Sequence, residues 1–151
     1  MRILHNQEYI LTPKDLIISK TDLHGNIIYV NNDLIRISGY AKEELIGSPH
    51  NIFRHPDMPK EVFAGLWRAI KQRVFWTGIV KNRTKYGGFY WVRAEITQIY
   101  DEDRKTIGYM SVRRHVARKD IEKAQKLYAE IKAGHSWSFI KFQSSHNRKL
   151  F

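Results

Sequence analysis

A chain of 151 residues with 42% apolar and 13% aromatic side chains is the size of one ordinary domain with a single buried core, and its composition excludes an intrinsically disordered chain. It has no cysteine, which excludes disulfides, thiolate metal sites, cysteine nucleophiles and thiol adducts to a cofactor. The formal charge of +11 is spread along the chain rather than packed into one basic block, so no nucleic-acid partner is expected, and no apolar run approaches the roughly 18 residues of a membrane-spanning helix; a cytoplasmic protein is the expectation.

In chain order, Leu16 to Ser19 and Ile27 to Val30 are apolar and β-branched runs on either side of the break Asp22-Leu23-His24-Gly25-Asn26, which predicts a β-hairpin. Asn31 or Asn32 then caps a short helix through Leu34, Ile35 and Ile37 that stops at Gly39. Ala41 to Leu45 predicts a second short helix, closed by Gly47 and Pro49. From Pro59, the apolar residues Val62, Phe63, Leu66, Trp67 and Ile70 recur at three- and four-residue spacing, the pattern of an amphipathic helix.

The period then changes. Val74 to Asn82, Phe89 to Tyr100 and Thr106 to Val116 are rich in aromatic and β-branched residues and predict three consecutive antiparallel strands. Ile121, Ala124, Leu127, Tyr128 and Ile131 mark a final amphipathic helix that ends at Gly134. The result is an α+β arrangement: a five-stranded antiparallel sheet, short helices and one longer helix on one face, and a C-terminal helix, with the other sheet face left for a partner protein. The expected division is an N-terminal extension (1–14), a sensor domain (15–116), an amphipathic helix (117–134) and a tail (135–151).

The element order, the run Asn31-Asn32-Asp33-Leu34 through Arg54-His55-Pro56-Asp57-Met58-Pro59, the later Trp76-Thr77-Gly78-Ile79-Val80-Lys81-Asn82-Arg83 and the segment Tyr90-Trp91-Val92-Arg93-Ala94 together resemble the PAS domain, and more narrowly the flavin-binding PAS domain of bacterial aerotaxis and energy-taxis receptors. The resemblance covers about residues 15 to 134. It implies a PAS fold and a non-covalently bound FAD whose redox state is reported to a chemotaxis signalling protein, the chemistry being the cofactor's own. Those receptors continue into a membrane anchor and a signalling coiled coil, so a stand-alone module is expected to signal across a non-covalent interface to a membrane-bound receptor of the methyl-accepting chemotaxis type, or to form a homodimer through its sheet or its last helix.

A flavin needs flat apolar walls, amide or hydroxyl groups at its polar edge and cations for its phosphates. Phe63, Trp67, Trp76 and Trp91 are the candidate walls, the alternative for each being ordinary core packing. Asn82 is the first candidate for the polar edge and Asn32 the second, against a strand-end turn and a helix cap respectively. By resemblance Arg54, His55 and Asp57 lie at the cofactor, with Arg54 on the pyrophosphate and Asp57 fixing Arg54 or His55; the alternative is a surface loop held by its own ion pair. FMN is a lesser alternative to FAD, and haem, ligated by His50 or His55, is the main rival. The chain shows no nucleophile elbow, P-loop or paired metal-binding histidines, so no enzyme is expected. A cofactor-free interaction module is the competing reading.

Overall fold

The structure, a computed structural model, describes residues 7–134. Its elements are β1 (Leu16–Asp22), β2 (Ile27–Val30), α1 (Asn32–Ser38), α2 (Lys42–Leu45), a 3-10 turn (His50–Phe53), α3 (Lys60–Lys71), β3 (Trp76–Arg83), β4 (Phe89–Tyr100), β5 (Thr106–Arg114) and α4 (Arg118–Lys132). The strands form one antiparallel sheet in the order β2-β1-β5-β4-β3. The tail expected at 135–151 lies outside the described residues.

The local chemistry explains the connections. Asp22 closes the hairpin by accepting from the backbone N–H of His24 and of Asn26, each at 2.9 Å, around a Gly25 with φ of 83°. Asn31, not Asn32, caps α1. Its carboxamide oxygen accepts from Leu34 N at 3.1 Å and from Ile18 N at 3.1 Å, while its amide donates to Leu16 O at 2.7 Å. One side chain therefore fixes the start of α1 and its seat on β1. The third strand begins at Trp76 rather than Val74, because Val74 N still donates to Ala69 O at the end of α3 and Arg73 turns the chain with φ of 58°. The last strand ends at Arg114, two residues before the expected Val116.

Strand register assigns the two faces. Ile17, Ser19 and Thr21 of β1 pair with Arg113, Ser111 and Tyr109 of β5, and Ala94 and Ile96 of β4 pair with Arg113 and Ser111. In turn Gly78, Val80 and Asn82 of β3 oppose Ala94, Val92 and Tyr90. With period-two alternation all of these share the inner face, which α1, α2, the 3-10 turn and α3 cover. On α3 the buried positions Val62, Leu66 and Ile70 recur every four residues and face the sheet.

The outer face is not left open along its whole width. α4 lies over β3 and β4, with Trp91 stacked on Tyr128 at 6.5 Å between ring centroids and the Tyr128 hydroxyl donating to Ile79 O. Ile121, Ala124, Tyr128 and Ile131 are buried there, so the apolar side of the terminal helix is taken up by its own sheet. This corrects the expectation of a wholly free sheet face. The N-terminal stretch also pairs with the start of β4, Tyr9 N donating to Phe89 O at 2.8 Å and Phe89 N to Gln7 O at 3.0 Å, and Leu11 is buried beneath it. Among the described residues no helix is long and apolar enough to cross a membrane.

Candidate cofactor site

A cavity of about 300 Å³ opens between α3, the 3-10 turn and the inner face of the sheet, at the lower end of the volume range of small-molecule sites. Arg54, Phe63, Trp67, Trp76 and Asn82 all line it, so five of the expected side chains meet in one place. Trp76 is buried, and its indole lies along its own strand over Gly78, where an added Cβ would sit 2.3 Å from the ring. The glycine two residues on is what lets the ring lie flat. The indole N–H of Trp76 meets no partner among the described residues. Across the cavity Trp67, 40% exposed, packs edge-to-face on Tyr109 at 6.0 Å. The guanidinium of Arg54 sits 3.8 Å from the Phe63 ring centre at the rim, a cation–π contact, while the Arg54 backbone bridges to Asn82.

The deep end is electrically unusual. Arg113 is 2% exposed, and its Nη2 donates to Ser19 Oγ at 2.6 Å. Its Nε and Nη1 find no hydrogen-bond partner among the described residues. Burial pushes its pKa down. Ser19 Oγ lies 2.9 Å from His50 Nε2, and burial, reinforced by the charges of Arg113 and Arg54, pushes the His50 imidazole down to about 3. At neutral pH the cavity therefore contains a neutral imidazole beside an arginine that no carboxylate pairs with among the described residues.

Four expected residues lie elsewhere. Asn32 is the exposed first residue of α1 and is not among the side chains that line the cavity; the cap itself is Asn31. Trp91 belongs to the outer face of β4, one position out of phase with Tyr90 and Val92, and packs under α4 instead of against the cavity. His55 and Asp57 sit beside rather than in it. The Asp57 carboxylate pairs with Lys81 at 2.8 Å, not with Arg54, and this contact holds it below the usual carboxylate range. His55 is buried, accepts at Nδ1 from Asp57 N at 3.0 Å, and stands 3.7 Å from the Asp57 carboxylate; burial and then Lys81 lower its pKa. His55 lines a second depression of about 320 Å³ with Asn51, Arg54 and Arg83, which adjoins the main cavity through Asn51 and Arg54.

The family model described as the PAS fold matches residues 27–113, more than half of the chain. This chain belongs to the PAS family. Within that family it is 44% identical over 118 residues to the aerotaxis receptor of Escherichia coli, a match covering 78% of this chain and 23% of the receptor. It is 29% identical over 100 residues to the nitrogen fixation regulatory protein of Klebsiella oxytoca, covering 66% of this chain and 20% of that protein. It is 32% identical over 90 residues to a blue-light photoreceptor of Listeria monocytogenes, covering 60% and 35%. The PAS chain thus spans between a fifth and about a third of the length of these relatives. Among solved structures, a PAS domain from Colwellia psychrerythraea superposes with a TM-score of 0.61 at 29% identity over 67% of this chain and 86% of that one. The dark structure of the Aureochrome1 LOV photoreceptor gives 0.62 at 16% identity over 80% and 85%, which speaks for the fold alone.

Sequence reasoning missed Arg113, Ser19 and Tyr109 as lining residues of the PAS cavity. A signal existed. In the Ser111-Val112-Arg113-Arg114 run only the parity with Ile17 and Ala94 separates a buried arginine from an exposed one, and that parity becomes readable once the pairing of β1 with β5 is known.

Proposed function

We propose that this PAS domain holds FAD non-covalently in the cavity above β3–β5 and passes the redox state of the flavin to a membrane-bound receptor of the chemotaxis type by protein contact. What carries the reading is the convergence of Trp67, Trp76, Phe63 and Asn82 on a single cavity whose walls contain buried donors without a partner among the described residues, Trp76 Nε1 and two nitrogens of Arg113. Buried donors without acceptors are rare in proteins, and an acceptor-rich planar ligand satisfies them. The 44% identity to an aerotaxis receptor supports the choice of ligand and output.

When bound, the flavin supplies reversible electron uptake. The residues supply the rest. Trp76 and Phe63 offer flat faces to a ring system, and the buried Asn82 carboxamide both donates and accepts at its edge. Arg54 at the rim and Arg83 in the adjoining depression offer cations where a pyrophosphate would leave the cavity, which favours the dinucleotide over FMN. Neither histidine weighed as a haem ligand is well placed for it: His50 Nε2 faces Ser19 Oγ, and His55 is not among the side chains that line the cavity.

The test is a melting titration of the purified full chain with FAD, FMN and haemin. The expected result is the largest rise with FAD, about 2.7 kcal/mol of stabilisation at a ligand concentration one hundred times the dissociation constant. No response to any flavin would leave the cofactor-free interaction module as the reading. Recovery of a receptor of the chemotaxis type on immobilised protein tests the output separately.

A further inference from the structure

Arg113 is buried without the partners that normally accompany a buried guanidinium. The group has five N–H donors and no acceptor. One nitrogen reaches Ser19 Oγ at 2.6 Å and the Phe53 ring centre lies 5.5 Å away, but Nε and Nη1 have no acceptor among the described residues although the residue is 2% exposed. Its polar neighbours do not neutralise it: His50 is an uncharged imidazole, Arg54 at the rim is a second cation, and Tyr90 brings a phenol. An isolated buried charge is unfavourable, and replacing such a group by an apolar one of similar size is often neutral or stabilising. Its position at the deep end of a cavity makes sense where a ligand brings negative charge and acceptor oxygens to it.

Resting on the flavin reading, we propose that Arg113 is the charge-selecting residue of the site: its Nε and Nη1 donate to the oxygen-bearing edge of the isoalloxazine, and hold the ring more tightly when it is negatively charged. An oxidised neutral ring that takes two electrons from an external donor and one proton from water becomes a monoanion. Arg113 keeps its own protons throughout, so it acts by position and charge. A fixed cation at this edge raises the reduction potential in proportion to the logarithm of the ratio of the affinities for the reduced and oxidised ring.

The experiment compares wild type, Arg113→Met and Arg113→Lys, each loaded with FAD and, separately, with riboflavin, in reductive titrations with dithionite and a reference dye. A tenfold loss of preference for the reduced ring moves a two-electron potential by about 30 mV. Arg113→Met is expected at least about 30 mV more negative than wild type with both flavins, with Arg113→Lys lying nearer to wild type. Ligand-free Arg113→Met is expected to melt no lower than ligand-free wild type. If Arg113→Met takes up no flavin, a loaded Arg113→Lys with a potential close to wild type supports the assignment and one shifted as far as about 30 mV overturns it. Unchanged potentials in loaded Arg113→Met overturn it too, as does a ligand-free Arg113→Met that melts far below wild type, which would make the residue structural. An effect on FAD binding without one on riboflavin would place Arg113 on the phosphates instead. Wild type that takes up neither flavin overturns the flavin reading itself, and this assignment with it.

Discussion

The cavity is built from side chains whose neighbours settle their chemistry. His50 shows how strongly. Its folded pKa of about 3 lies below the ordinary histidine value, so over the interval between them the unfolded chain takes up a proton that the folded chain refuses. Stability due to His50 is thus present above about pH 6.5 and is lost as pH falls toward 3, at up to about 1.4 kcal/mol per pH unit. His55, also lowered, adds in the same direction. Urea unfolding at pH 7 and pH 5 is expected to show wild type losing stability on acidification, and His50→Gln losing clearly less; equal losses would show that the imidazole is not held neutral by its surroundings. Gly78 makes a second residue-scale test. A Cβ there would stand 2.3 Å from the Trp76 ring, so Gly78→Ala has to displace the indole. Overpacking of this kind costs about 1–3 kcal/mol, and equilibrium dialysis is expected to show FAD affinity falling at least about tenfold in a variant that still folds.

At the level of elements, much of the fold was legible because apolar periodicity changes sharply along the chain. β4 spans Phe89–Tyr100 as read from its aromatic and β-branched run, and α3 follows the four-residue spacing of Val62, Leu66 and Ile70. What period-two alternation could not reveal was which side of β4 faces the cavity. Trp91 and Tyr90 are both buried, because α4 covers the outer face as the short helices cover the inner one, and a strand buried on both sides carries aromatics on both. The cap of α1 stayed open between Asn31 and Asn32 for a related reason: the two are chemically equivalent caps, and only the contacts of Asn31 with Leu16 and Ile18 decide between them. The outer placement of Trp91 has a measurable consequence. Trp91→Ala removes the stacking partner of Tyr128 and is expected to destabilise the domain by about 3–5 kcal/mol, with FAD affinity at low temperature close to wild type. A Trp91→Ala protein of normal stability and no flavin binding would contradict that placement.

For the molecule as a whole, the two faces of the sheet divide the work. The inner face carries a cavity with aromatic walls, a carboxamide and a guanidinium that no carboxylate pairs with among the described residues, and the outer face carries α4 in direct contact with β3, the strand that also supplies Trp76 and Asn82. Asn82 and Ile79, whose carbonyl accepts from Tyr128 on the opposite surface, lie on the same strand three residues apart, a short route from cavity to exterior. Such relays need two states separated by only a few kcal/mol, so that differential contacts with the ligand shift their populations. All of this depends on the cavity accepting a flavin, and the visible absorption spectrum of the full chain, mixed with excess FAD and freed of unbound ligand by gel filtration, tests that most directly. A yellow protein carrying close to one flavin per chain, with the colour lost in Asn82→Ala, is the expected result; a colourless wild type at any FAD concentration would contradict it.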